Sequence, residues 1–223
     1  MPATPAAHAP RRARGRPRGA AGTAEATRER IVAAASELFA ERGFHSTPMT
    51  SIAEAAQLSQ TGLLHHFPSK DDLLAAVLEQ RDVRDFATLS ARRSERARGW
   101  DACDDLVELV RLNAGREAFV RLFTSLAGEA VDPDHPGHGW LGRHHRQAVA
   151  VLTRALGEAV EDGAADPAIP AESIGRQLVA LMDGLQLQWL MAPDEVDMAA
   201  EVADYVATVR SRWGREPEAP PRG

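Results

Sequence analysis

The sequence predicts an all-α chain. Three observations lead there: apolar residues recur every three or four positions along long segments, no segment alternates apolar and polar residues as a half-buried strand does, and glycines, prolines and capping residues divide the chain at helical lengths. The first helix is expected over residues 26–42, where Ile31, Ala34, Ala35, Leu38 and Phe39 form one apolar stripe and Gly43 stands in the stop position. A short second helix is expected to end at Ala56, with Thr47 as its N-cap and Pro48 at the first helical position, which tolerates a missing N–H. Gln57, Leu58 and Ser59 make a tight connection, and Ser59 caps a third helix over residues 60–66 that Phe67 and Pro68 end. Ser69-Lys70-Asp71-Asp72 matches a capping box, and Leu73, Leu74, Val77 and Leu78 open a long fourth helix.

Beyond a polar, Arg-rich stretch at residues 91–99, helices are expected over about residues 101–113, 115–130, 138–162, 171–191 and 194–213. Their boundaries are written in Asp132-Pro133-Asp134-His135-Pro136-Gly137, in Asp166-Pro167-Ala168-Ile169-Pro170 and in Ala192-Pro193-Asp194. The helix over 171–191 is apolar on more than one face and must be covered on two sides. Met198, Val202, Val206, Val209 and Trp213 repeat at helical spacing on the last one.

With 223 residues, 44% of them hydrophobic and 26% charged, the chain can bury a core without staples. Its single cysteine, Cys103, makes neither an internal disulfide nor a cysteine zinc site, and reads as a buried thiol. No apolar run approaches the roughly 20 residues that a bilayer span needs, and Arg11 to Arg18 is basic where a secretory leader would be apolar. A cytoplasmic protein with no membrane partner is the expectation.

Charge is unevenly placed. The formal net charge is -6, yet residues 1–24 hold five arginines (Arg11, Arg12, Arg14, Arg16, Arg18), and all 32 acidic residues follow them. Pro and Gly punctuate this arm, so it should be unstructured when free, as should the Pro-rich end from Glu216. Arg14-Gly15-Arg16-Pro17 matches the core of the AT-hook pattern, in which arginines enter a narrow A/T-rich minor groove; plain phosphate contact by a basic arm remains the alternative.

Two short helices joined by a three-residue turn, with a longer helix on each side, form the unit that places one helix in a DNA major groove. Ile52, Ala53, Ala56, Leu58, Leu63 and Phe67 supply its small core, which leaves Gln60, Thr61 and His65 to face outward. Gln bonds adenine bidentately, and Thr bonds a base or touches a thymine methyl. Gly62 permits close approach, and Lys70 with the first N–H groups of the next helix can meet a phosphate.

The segments Thr27-Arg28-Glu29-Arg30-Ile31, Leu38-Phe39-Ala40-Glu41-Arg42-Gly43-Phe44, Ile52-Ala53-Glu54-Ala55-Ala56 and Gly62-Leu63-Leu64-His65-His66-Phe67-Pro68-Ser69-Lys70 follow one another at the right spacing. Together they resemble the DNA-binding domain of the tetracycline-repressor (TetR) family over about residues 24–84. The resemblance implies a homodimeric regulator of a palindromic double-stranded operator, usually a repressor released by a small-molecule effector. It divides the chain into a basic arm (1–23), a helix-turn-helix domain (24–84), a helical effector-binding and dimerisation domain (85–214) and a tail (215–223). By position it makes Gln60 and Thr61 base readers, and Thr47, Thr50, His66 and Lys70 phosphate contacts, with Ser59 and His65 beside them. Leu64 stands where the family often has Tyr, which removes a hydroxyl contact and leaves Leu64 to pack or to touch a base methyl. The family's dimer pairs the last two helices with their symmetry mates; completing the monomer core is the alternative for the same residues.

Candidate effector walls are Phe119, Phe123, Trp140 and Met182, all of which suit ordinary core packing equally well. His135, His138, His144 and His145 invite a metal reading, but the Pro/Gly loop and the adjacent pair argue against it, and neither metal nor cofactor is expected. An activator or an effector-independent architectural protein fits the same unit. An enzyme does not: there is no phosphate-binding loop, nucleophile elbow or His-Glu-x-x-His.

Overall fold

The computed structural model describes residues 19–90 and 97–215, whose regular elements are helices apart from one isolated bridge between Ala165 and Gly214. The arm up to residue 18, with Arg14 and Arg16, residues 91–96 and the tail from residue 216 lie outside the described residues. In chain order the helices are α1 (Gly19–Arg42), α2 (Met49–Ala55), α3 (Gln60–His66), α4 (Lys70–Ser90), α5 (Trp100–Ala114), α6 (Glu117–Glu129), α7 (His138–Glu161), α8 (Ala171–Met191) and α9 (Met198–Trp213).

Two boundaries differ from the sequence reading by more than two residues. α1 begins at Gly19, so it takes in residues 19–23 that the sequence assigns to the arm; Ala20, Ala21 and Ala24 favour this extension and Gly19 and Gly22 oppose it. α9 begins at Met198 instead of residue 194, because the Asp197 side chain caps it, accepting the Ala199 and Ala200 N–H groups at 3.1 and 3.0 Å. The stop at Gly43 is as expected. Its φ of +80° is the left-handed conformation that glycine adopts without cost, and its N–H reaches the Phe39 carbonyl at 2.9 Å.

Two buried cores organise the chain. The first joins Ile31, Ala35 and Phe39 of α1 to Ile52, Leu63, Phe67, Leu73, Leu74 and Leu78. It continues without a break into Leu122, Phe123 and Leu126 of α6 and Trp140 and Leu141 of α7, so the helix-turn-helix unit rests directly on the C-terminal helices. The second core gathers Cys103, Val107 and Val110 of α5, Leu152 and Leu156 of α7, Ile174, Leu178, Met182 and Trp189 of α8, and Met198, Val202, Val206 and Val209 of α9. Burial pushes the Cys103 thiol up to about 11, with Asp104 adding and Arg210 opposing, so it is an inert core residue.

The apolar stripe of α9 therefore completes the monomer core and is not free to meet a second chain. α7 and α8 run in close contact. A Cβ on Gly175 would lie 3.1 Å from the Val149 carbonyl, so this glycine sets how near the two helices come. α9 is clasped to α5 by Arg210, whose Nη2 donates to both carboxylate oxygens of Asp104 at 2.9 and 3.0 Å.

Candidate nucleic-acid interface

The turn between α2 and α3 is tight for a backbone reason. Gln57 adopts φ +56°, and Leu58 N–H returns to the Ala53 carbonyl at 2.8 Å, which turns the chain sharply before Ser59. Ser59 then caps α3, its Oγ accepting the Gly62 N–H at 3.1 Å. Leu63 and Phe67 point down into the first core beside Ile52, Ala53 and Ala56. By helical geometry Gln60, Thr61, Leu64 and His65 share the opposite face, and all four are exposed. Leu64 is 40% exposed and does not pack into the core, which leaves the base-methyl alternative open to it.

Thr50 is exposed in the first turn of α2 and flanks this face. Thr47 does not. Its side chain is fully buried and its hydroxyl lies 2.8 Å from the Gly43 carbonyl and 3.2 Å from that of Leu38, so it ties the end of α1 to the start of α2. It neither caps α2, whose N-cap is Pro48 without a side-chain bond, nor presents a group to a phosphate. The sequence could not separate these roles, because an N-cap threonine and a buried one read alike.

On the other flank, Ser69 Oγ accepts the Asp72 N–H at 3.0 Å and donates to Asp72 Oδ2 at 2.7 Å, which fixes the start of α4. Lys70 follows it. Its Nζ sits 4.5 Å above the Phe44 ring and donates to the His45 carbonyl at 3.2 Å, so the long side chain is held in one place with donors to spare. Desolvation lowers its pKa, and the Asp71 carboxylate opposes that shift. His66 is half-buried, with its ring 5.8 Å from that of His65.

Two arginines of α1 that the sequence gives no role brace the unit from behind. Arg28 stacks 4.1 Å over the Phe67 ring and donates to the His66 carbonyl at 3.4 Å, while Arg30 Nε donates to the Ala56 carbonyl at 3.0 Å. They hold the C-terminal ends of α3 and α2, where carbonyls lack helical partners. Their signal in the sequence is faint, since arginine on a helix ordinarily faces water.

The four candidate effector residues are not one wall. Phe119, Phe123 and Trp140 belong with the first core, whereas Met182 is buried in the second. Around Phe123 the structure adds residues that the sequence did not pick for this role: the His144 ring stacks on Trp140 at 4.9 Å and meets Phe123 at 5.6 Å, and the Arg81 guanidinium of α4 lies over Phe119 and Phe123 at 4.6 and 4.9 Å. His145, one residue on, is 3.1 Å from Asp183 of α8. His138 turns away to the Ala130 carbonyl at 2.8 Å, so the four loop and helix histidines do not converge.

Residues 31–77 match the model of bacterial regulatory proteins of the tetR family, and residues 104–211 match that of the C-terminal domain of BetI-type transcriptional repressors. The HTH-type transcriptional regulator UidR of Escherichia coli is 28% identical over 193 residues, covering 86% of this chain and 93% of its own length. The HTH-type transcriptional regulator TtgR of Pseudomonas putida is 27% identical over 200 residues, covering 83% and 90%. Among solved structures, GusR of Salmonella enterica superposes with a TM-score of 0.63 at 27% identity, over 84% of this chain and 93% of that one.

Proposed function

The chain belongs to the TetR family of bacterial DNA-binding regulators, and from that premise we propose that it is a homodimeric repressor, held on a palindromic operator until a small-molecule effector releases it. The observation that carries the DNA reading is the exposed face of Gln60, Thr61, Leu64 and His65, on a helix capped by Ser59 and seated on a buried Leu63 and Phe67. Gln60 bonds a base edge, Thr61 and Leu64 touch a base or a thymine methyl, and Thr50, His66 and Lys70 meet the flanking phosphates; each well-placed bidentate pair discriminates by about 1–3 kcal/mol. Arg14 and Arg16 of the arm add phosphate or minor-groove contacts. Fluorescence anisotropy with DNA flanking the protein's own gene tests this: Gln60→Ala with Thr61→Ala should erase the preference for that DNA over a scrambled duplex. Preference intact in a folded double variant would overturn the reading.

Dimerisation falls to the outer faces of α8 and α9. Ala180, Gly184, Leu187 and Met191 lie on one stripe of α8, with Leu187 51% and Met191 73% exposed, and the neighbouring surface of α9 carries Asp204, Ala207, Thr208, Ser211 and Arg212. Pairing these faces with a symmetry mate would fix the distance between two reading helices.

Release is a population shift through α4, which starts at Lys70 beside the interface and reaches Arg81 over the aromatic rings of α6. Buried polar atoms support an internal ligand. Both amide atoms of Asn113 and the Gln186 Oε1, the Thr124 hydroxyl and Asp183 Oδ1 are enclosed without a hydrogen-bond partner among the described residues, a state that costs a protein unless something polar enters. An effector with an apolar ring would suit Phe123, Trp140 and His144, whose ring centroids lie 4.9–6.1 Å from one another. Candidate compounds are scored by loss of operator anisotropy; one that binds tightly while leaving operator affinity unchanged would argue against this route of release.

A further inference from the structure

His45 lies in the corner between α1 and α2, Glu129 ends α6, and His135 lies in the loop before α7, yet their ligating atoms all come within 4.8 Å of one another. His45 Nε2 is 3.0 Å from Glu129 Oε2, and His135 Nε2 is 3.7 Å from the same oxygen. The His135 side chain is only 9% exposed, and its Nε2 has no hydrogen-bond partner among the described residues. A buried imidazole nitrogen left without a partner, aimed at a carboxylate that a second imidazole already touches, is a donor set in search of a cation.

We propose that His45, Glu129 and His135 form a binding site for a divalent transition metal of the zinc class, bridging the DNA-reading unit and the C-terminal helices. Two imidazoles and one carboxylate suit a borderline cation in four-coordinate geometry, with a water in the remaining position. The Phe44 ring packs edge-on against both histidines, at 5.3 Å from His45 and 6.4 Å from His135, and restrains both rings.

The second half of the site is the turn behind His135. Its Nδ1 now accepts the Gly137 N–H at 3.0 Å, so the neutral ring carries its proton on Nε2. A cation on Nε2 moves that proton to Nδ1, which then needs an acceptor, as the second nitrogen of a metal-bound histidine ordinarily finds. The turn can supply one. His138 N–H closes it on the His135 carbonyl at 2.9 Å, and Gly137 at φ -78° and ψ -13° gives it type I form. Yet Pro136-Gly137 is the pair that type II prefers at its two central positions. Flipping the one peptide between them converts the first form into the second and presents the Pro136 carbonyl where the Gly137 N–H now stands.

The site is a contact away from the interface, because the His45 carbonyl accepts Lys70 Nζ at 3.2 Å. Occupancy would therefore pin the corner that holds Lys70 to the end of α6.

The test is calorimetric titration of untagged, chelator-stripped full-length protein with zinc chloride, alongside the Gly137 amide signal in NMR spectra. Wild type should bind one equivalent per chain and shift the Gly137 signal. His45→Ala, at an exposed position that leaves the core intact, and Glu129→Gln should each weaken binding by at least the roughly tenfold that loss of even an outer-shell partner costs, while His138→Ala should not. Circular dichroism of each variant establishes that it is folded. Absence of saturable binding near one equivalent, or binding that survives both His45→Ala and Glu129→Gln, would overturn the proposal.

Discussion

Ser59 Oγ holds the Gly62 N–H at 3.1 Å, and this bond closes the first turn of α3 beneath Gln60 and Thr61. The cap thus does two things at once: it satisfies a donor that the helix cannot, and it sets the direction in which the reading residues leave the backbone. Ser59→Ala should destabilise the protein by about 1 kcal/mol in urea unfolding. It should also weaken operator binding under conditions where the variant is fully folded, and Ser59→Thr should recover most of both. Equal operator affinity for the alanine variant would mean that α3 is positioned by its core contacts alone.

The helices of this protein were legible because each one is punctuated. Gly43, Pro48, Ser59, Pro68 and Pro170 act through local backbone chemistry, and such chemistry is visible one residue at a time. What stayed hidden depends on which neighbour arrives from far along the chain. Thr47 has the residue type and position of a cap, and only the carbonyls of Leu38 and Gly43 make it a buried tie. Met182 sits at core spacing like Trp140, but packing sends the two to different cores. The α9 stripe could meet either a partner or its own chain, and periodicity alone does not choose. His45 carries no signal in the sequence because its companions lie 84 and 90 positions away, at Glu129 and His135.

The His145–Asp183 pair joins α7 to α8 and should make stability depend on pH. The Asp183 carboxylate, whose Oδ2 lies 3.1 Å from Nε2, raises the pKa of His145 above its ordinary 6.5, and burial acts against that rise. A histidine whose folded pKa is raised binds its proton more tightly when folded. Its stabilising contribution is therefore complete below pH 6.5 and disappears as pH climbs through the higher folded value. The melting-temperature advantage of wild type over Asp183→Asn should shrink as pH rises above 6.5. A difference that is constant across this range would show that the pair does not titrate with folding.

Leu187 and Met191 expose large apolar side chains on the outer face of α8, where a lone chain gains nothing by keeping them. Replacing both with glutamate places like charges against one another across a twofold contact while sparing the monomer core, whose α8 residues are Ile174, Leu178, Val179, Met182, Leu185 and Trp189. Light scattering after gel filtration should read a dimer for wild type and a monomer for the double variant, with the helical circular dichroism kept. Affinity for a two-half-site operator should fall steeply, and affinity for a single half-site much less. A dimeric double variant would move the interface to another face.

Salt dependence separates the two sources of positive charge. Between Glu25 and Arg84 there are six basic and nine acidic residues, so the folded reading unit has no surplus of its own, while five arginines precede residue 19. Lys70 is held rigidly over Phe44 at the edge of the interface, and its ammonium should neutralise one phosphate per subunit. Each neutralised phosphate adds about 0.9 to the steepness with which log affinity falls against log salt. Lys70→Gln should therefore lower that slope by roughly one per subunit, whereas removing residues 1–18 should lower it by as much as about five. Both changes should leave the ratio of cognate to scrambled affinity nearly unaltered if the arm meets phosphates alone. A ratio that falls for the truncation but not for Lys70→Gln would instead place Arg14 and Arg16 in the minor groove of an A/T-rich flank, since phosphate contact carries no sequence information.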